Sequence, residues 1–139
     1  MNCFSRTLVP IAGVALLASC STPAIQESRS PEAQRELSKA LAGRTPGKPV
    51  DCIGNFRTSN MQIIDDWTIL FREGRVVYVQ NPEGGCHGIA GGSTTLVSRL
   101  YGTNRLCSGD INHLVDLHTG IGGGACVFTA FVPYTKTGG

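Results

Sequence analysis

Trp67-Thr68-Ile69-Leu70-Phe71-Arg72-Glu73-Gly74-Arg75-Val76-Val77-Tyr78-Val79-Gln80 decides the fold class. Both ends of this stretch are rich in β-branched and aromatic side chains, which suit a pleated, half-buried surface. Arg72 to Arg75 separates them, and Gly74 supplies a turn position, so the stretch predicts a β-hairpin. Asn81-Pro82-Glu83-Gly84-Gly85 then ends it with turn-forming residues.

Working outward, the same signals recur at short intervals. A first strand is expected at 51–57, another at 94–101, and a turn at Gly102-Thr103-Asn104. Residues 111–117 read as a strand with Ile111, His113, Val115 and Leu117 on one face. A glycine-rich loop is expected at 119–124 and a last strand at 126–132, stopped by Pro133. This predicts about six short strands at hairpin spacing with no helix between them. The expected class is all-β, a small antiparallel barrel or sandwich.

The start of the chain is of a different kind. Arg6 stands beside the free amino terminus, and a mostly apolar run from Leu8 to Ala18 follows. That run is shorter than the roughly 20 apolar residues a membrane-spanning helix needs, and it ends in small residues, as a cleaved signal peptide does. Leu17-Ala18-Ser19-Cys20 resembles the bacterial lipobox. The resemblance implies cleavage before Cys20 and acyl chains on its sulfur and new amino group, enough in number for stable anchoring. Ser21, rather than aspartate, implies sorting to the outer membrane, facing the periplasm.

Three segments are therefore expected: a leader at 1–19, a tether at 20–48, and a disulfide-stapled β domain at 49–139. Within the tether, Ser30-Pro31-Glu32-Ala33 offers an N-cap, a proline suited to the first helical turn, and an acid at the positive end of the helix dipole. Ala33, Leu37, Ala40 and Leu41 share one face, so a helix is predicted over 31–42 with Gly43 ending it. So short a helix needs a surface to pack on, and docking on the domain is expected.

Composition sets limits on function. The 139 residues suffice for one domain, and 41% apolar with 16% charged residues is a globular balance. A formal net charge of +2 is too small to imply a nucleic-acid partner by electrostatics. The expected partners are the membrane, through acyl chains on Cys20, and an envelope protein.

Four of the six cysteines, Cys52, Cys86, Cys107 and Cys126, fall in the expected domain and read as a disulfide framework in an oxidising compartment. If the first and last strands close the sheet as neighbours, the pairs are Cys52–Cys126 and Cys86–Cys107; the next choice is Cys52–Cys86 with Cys107–Cys126. Cys52-Ile53, Ile64-Asp65-Asp66, Gly85-Cys86-His87-Gly88, Leu106-Cys107-Ser108-Gly109-Asp110 and Cys126 occur in an order that resembles an uncharacterised family of small four-cysteine exported proteins and lipoproteins of proteobacteria. The resemblance spans residues 44–135 and implies export and a compact disulfide-bonded fold, with no activity attached.

Competing chemistry is weaker. A zinc site from Cys86, His87, Cys107, Asp110, His113 and His118 lacks any C-x-x-C pair, so no metal and no cofactor are expected. Gly120 to Ala125 fits G-x-G-x-x-A formally, but a strand rather than a helix is expected after it. Asp65-Asp66 reads as a turn, and Asp110 as a turn cap. His87 could serve as base to Cys86 only if that thiol were free. The expected function is a non-enzymatic binding or accessory module. The alternative is a periplasmic enzyme or metal-binding domain built on Asp110, His113 and His118.

Overall fold

The computed structural model describes residues 29–54, 60–100, 102 and 104–137. The leader, Cys20, the tether before Arg29, and residues 55–57 of the expected first strand lie outside the described residues. The fold is mostly β, with antiparallel sheets that do not close into a barrel.

One helix precedes the strands. Helix α1 spans Pro31–Leu41; the Ser30 hydroxyl accepts the Ala33 N–H at its start, and Gly43 sits at φ +66° just beyond its end. The cap, the first-turn proline and the left-handed glycine are the features that delimit it.

Ten strands follow. They are β1 Arg44–Pro46, β2 Cys52–Gly54, β3 Met61–Asp65, β4 Thr68–Glu73, β5 Val76–Gln80, β6 Thr94–Ser98, β7 Arg105–Cys107, β8 Ile111–Asp116, β9 Gly122–Val127 and β10 Val132–Lys136. The expected hairpin is β4–β5, with Ile69 opposite Gln80 and Glu73 opposite Val76.

The strands form three sheets: β1-β10-β5-β4-β3, β6-β8-β9, and the pair β2-β7. The five-stranded sheet is buried on both sides. On one, Ile64, Leu70, Val77, Val79, Val132 and Tyr134 pack with Ala33, Leu37, Ala40 and Leu41 of α1. The helix therefore docks, as its apolar stripe requires. On the other side, Ile69, Phe71 and Tyr78 meet Ile53, Leu106, Leu114 and Cys126 from the smaller sheets and Phe128 and Phe131 from the β9–β10 connection. Phe71, Phe128 and Phe131 form a mutually tilted trio with ring centroids 5.7–5.9 Å apart, a geometry that favours edge-to-face attraction.

Several expectations need correction. The strand at 126–132 is two strands: β9 starts earlier, at Gly122, and the chain turns before β10. The glycines at 122–124 carry no side-chain pattern that could mark them as strand. Pro133 lies inside β10 instead of ending it. Its carbonyl accepts the Gly47 N–H (2.7 Å), so its missing donor faces the side where β1 has already stopped at Pro46. The helix and β1 belong to the folded unit, which thus begins well before residue 49.

Both expected cysteine pairings are also overturned. The bonds are Cys52–Cys107 and Cys86–Cys126. Cys52 and Cys107 are direct cross-strand partners in β2–β7, with Cα atoms 4.0 Å apart. Cys126 sits on β9 in a different sheet, and the true last strand, β10, pairs with β5 and β1. The premise that the first and last strands would bring Cys52 to Cys126 therefore fails.

Candidate functional site

The loop between β5 and β6 shows how the staple is seated. Asp66 organises it: its carbonyl accepts the Cys86 N–H (2.6 Å) and its carboxylate accepts the Gly88 and Ala90 N–H groups, each at 3.0 Å. Gly85, at φ +78°, is a tight site for a Cβ, which would meet the Asp66 carbonyl and the Trp67 ring at 3.1 Å. Asp65 instead caps the Trp67 N–H (2.9 Å) and pairs with Arg29 (2.5 Å). The two adjacent acids thus do separate structural work, Asp65 at the end of β3 and Asp66 in the turn that follows.

Two buried polar side chains went unnoticed in the sequence. Gln80 donates to the Thr129 carbonyl (2.8 Å) and accepts from the Thr129 N–H (3.0 Å) and hydroxyl (2.9 Å). Asn112 donates to the Asp110 carbonyl (3.0 Å) and accepts from the Ser98 hydroxyl. Both are satisfied, as burial of amides demands, and both fasten loops to strands. No sequence signal separates them from exposed amides.

Asp110, His113 and His118 do not form one site. The Asp110 carboxylate accepts the Cys107 N–H (2.7 Å), closing the β7–β8 turn as its predicted cap role requires. His113 is exposed in the middle of β8. His118 lies beyond the strand in a turn held by Asp116, which accepts from the His118 N–H (2.9 Å), the Thr119 N–H (2.8 Å) and the Thr119 hydroxyl (3.0 Å). Those bonds hold the Asp116 carboxyl below the usual carboxylate range, the Thr119 amide contributing most. Among the described residues no group of three or more His, Cys, Asp or Glu is arranged to hold a metal ion. Cys86 is disulfide-bonded, so the thiol–His87 pair is excluded; His87 packs edge-on against Trp67, with centroids 5.3 Å apart.

The geometry draws attention to the outer face of the three-stranded sheet. Register places Thr95, Val115 and Gly122 in one row, Val97, His113 and Ala125 in the next, and Ile111 with Val127 in a third. Directly opposed residues share a face, so these side chains point away from the core while Asn112, Leu114 and Cys126 point into it. Ile111 is 57% and Val97 40% exposed; Leu117 and Ile121, at the β8–β9 tip, are 62% and 68% exposed. Exposed apolar side chains thus stand at both ends of this face, with His113 and Thr95 between them.

A second feature lies on the far side, beside α1. A cavity of about 530 Å³ is lined by Glu36, Lys39, Arg44, Gln62, Arg72 and Lys136 together with Ala40 and Ala42. An amphipathic one of about 380 Å³ opens between Arg29, Leu37, Leu41, Trp67, Asn81 and Tyr134. Among the described residues no helix is long and apolar enough to cross a membrane.

Compared with family models, with curated proteins and with solved structures, the chain matches none.

Proposed function

We propose that this protein is a non-enzymatic, acyl-anchored module of the bacterial envelope, facing the periplasm, that docks an envelope protein on the outer face of β6-β8-β9. The observation that carries the docking surface is the open apolar face itself: Val97, Ile111 and Ala125, extended by Leu117 and Ile121. Export is supported by the leader pattern ending at Cys20, by the resemblance to small four-cysteine exported proteins, and by two disulfides that need an oxidising compartment.

The partner's chemistry follows from the face. Val97 and Ala125 flank the exposed His113 at its centre, and Arg99 follows β6 at the end beside Ile111. The carboxylates nearest in sequence, Asp110 and Asp116, are turned into their own turns by hydrogen bonds. An apolar patch with an acidic rim complements this surface. A protein partner is favoured over the bilayer because Arg29, where the tether enters, is on the α1 side of the five-stranded sheet. The docking face is on the other side of that sheet.

The test is photo-crosslinking in intact cells from position 111, with and without Cys20→Ala. A discrete heterologous crosslink that Ile121→Asp abolishes supports the reading. Crosslinks only to a second copy, only to lipid, or none at all overturn it. Labelling with a radioactive fatty acid that is lost in Cys20→Ala checks the anchor separately.

A further inference from the structure

We infer that the cavity at the C-terminal end of α1 binds a phosphate group carried on a larger molecule. Register builds the site. Arg44 stands opposite Lys136 across β1–β10, and Tyr134, Val77 and Arg72 form the neighbouring row across β10, β5 and β4. All lie on the face that α1 covers. The helix, however, covers only the apolar part of that face and stops at Leu41. The remainder is left open, and four cations, Lys39, Arg44, Arg72 and Lys136, surround it with a single carboxylate, Glu36.

The charge is unbalanced in a way the fold alone does not require. Four cations against one acid give the lining a formal +3, more than the +2 of the whole chain. The helix C-terminus offsets this by only about half an elementary charge. Among the described residues the one ion pair within 4 Å is Arg29–Asp65, so none of the four cations has a carboxylate at that range.

The two arginines are half-buried and already held in position. Arg44 Nη1 donates to the Arg75 carbonyl (2.5 Å) and the Tyr134 carbonyl (3.4 Å), and Arg72 Nη2 donates to Gln62 Oε1 (2.9 Å). Each guanidinium has five N–H donors, so these bonds orient the groups while leaving donors for a ligand. Fixed guanidinium forks match phosphate oxygens. A monocarboxylate would use one fork and leave the others uncompensated, whereas a phosphate can engage both arginines and a lysine. The cavity volume is in the range of small-molecule sites, larger than a bare phosphate needs. The bound group can therefore be a soluble phosphoester or a lipid headgroup.

The experiment uses the full exported chain carrying Cys20→Ala, so that acyl chains do not confuse vesicle binding. Isothermal titration with glycerol phosphate and flotation with phosphatidylglycerol vesicles, against phosphatidylcholine vesicles, separate the two sources. Saturable heat with glycerol phosphate identifies a soluble ligand; flotation on the anionic vesicles alone identifies a headgroup. In either arm Arg44→Gln with Arg72→Gln is expected to weaken binding at least tenfold, and Lys39→Gln with Lys136→Gln, on exposed stems that the fold does not use, severalfold. Arg99→Gln, outside the cavity, is the control. No binding in both arms, or an equal loss in the control, overturns the inference. Loss of the crosslink from position 111 would leave it untouched, because the two surfaces lie on opposite sides of the sheet.

Discussion

Strands β4 and β8 are each six residues long and each lie inside their sheets, yet they live in different surroundings. Thr68, Ile69, Leu70 and Phe71 of β4 are buried consecutively, because α1 covers one face and the smaller sheets cover the other. In β8 only Asn112 and Leu114 are buried, and Ile111 and His113 face out. The first strand is held by packing on two sides. The second is held on one side, and the Cys86–Cys126 bond together with the Glu83–Val127 bridge ties its sheet to the loop after β5. The difference teaches where this molecule can spare a surface for binding: only a face the core does not use is available, and the bond substitutes for the missing layer.

The sharpest contrast comes from placing the same charge on both strands. Leu70→Asp buries an unpaired carboxylate and is expected to cost more than about 4 kcal/mol, leaving the protein unfolded. Ile111→Asp is expected to change stability by less than about 0.5 kcal/mol while abolishing partner docking. Urea unfolding of both variants, with crosslinking for the second, checks this. Equal destabilisation would mean that the outer face is not free.

Next in size is the staple. Replacing Cys86 and Cys126 together by alanine opens a loop with a sequence separation of 40 residues. The chain-entropy relation gives a loss of about 4 kcal/mol, read as a lowered urea midpoint. Amide exchange should accelerate first in β6, β8 and β9, with β4 and β5 protected longest; the reverse order would contradict the division drawn above.

A smaller effect is expected at the helix. Ser30→Ala removes the cap on Ala33 and should cost about 1 kcal/mol by thermal unfolding. Exchange should quicken in α1 and leave the three-stranded sheet unchanged.

The smallest concerns the β8–β9 tip. Asp116 has a depressed pKa in the folded protein, so its turn contributes stability above the unfolded carboxyl value. That contribution is lost as pH falls through the folded one. Amide shifts of His118 and Thr119 followed by NMR into acid should titrate with a midpoint below an ordinary aspartate, and Asp116→Asn should remove the transition. A midpoint in the ordinary range would show that the cap is not formed.

Legibility varied by element for identifiable reasons. The β4–β5 hairpin and α1 were readable because their signals are local: a β-branched run with a turn glycine, and a cap, proline and apolar stripe. β9 was not, since glycine has no side chain to show a period. β1 and the interior of β10 were hidden behind prolines, Pro46 tolerated on an edge strand and Pro133 where the neighbouring strand has ended. For the candidate surfaces, His113 was visible as a residue, but its place among Val97, Ile111 and Ala125 comes from pairing with β6 and β9. The four cations of the cavity come from four separate elements or their ends, and no spacing in the chain announces them.

By itself the sequence determined the mostly β class, the docking helix, the use of four of its cysteines as disulfides, and the turn-capping role of Asp110. Each depends on neighbours within a few residues or on composition. Only the tertiary structure decided the split into three sheets, the pairing Cys52–Cys107 and Cys86–Cys126, and which face of β8 is left open. Those depend on contacts between residues dozens of positions apart, where many pairings satisfy the same local pattern and burial in a shared core selects among them.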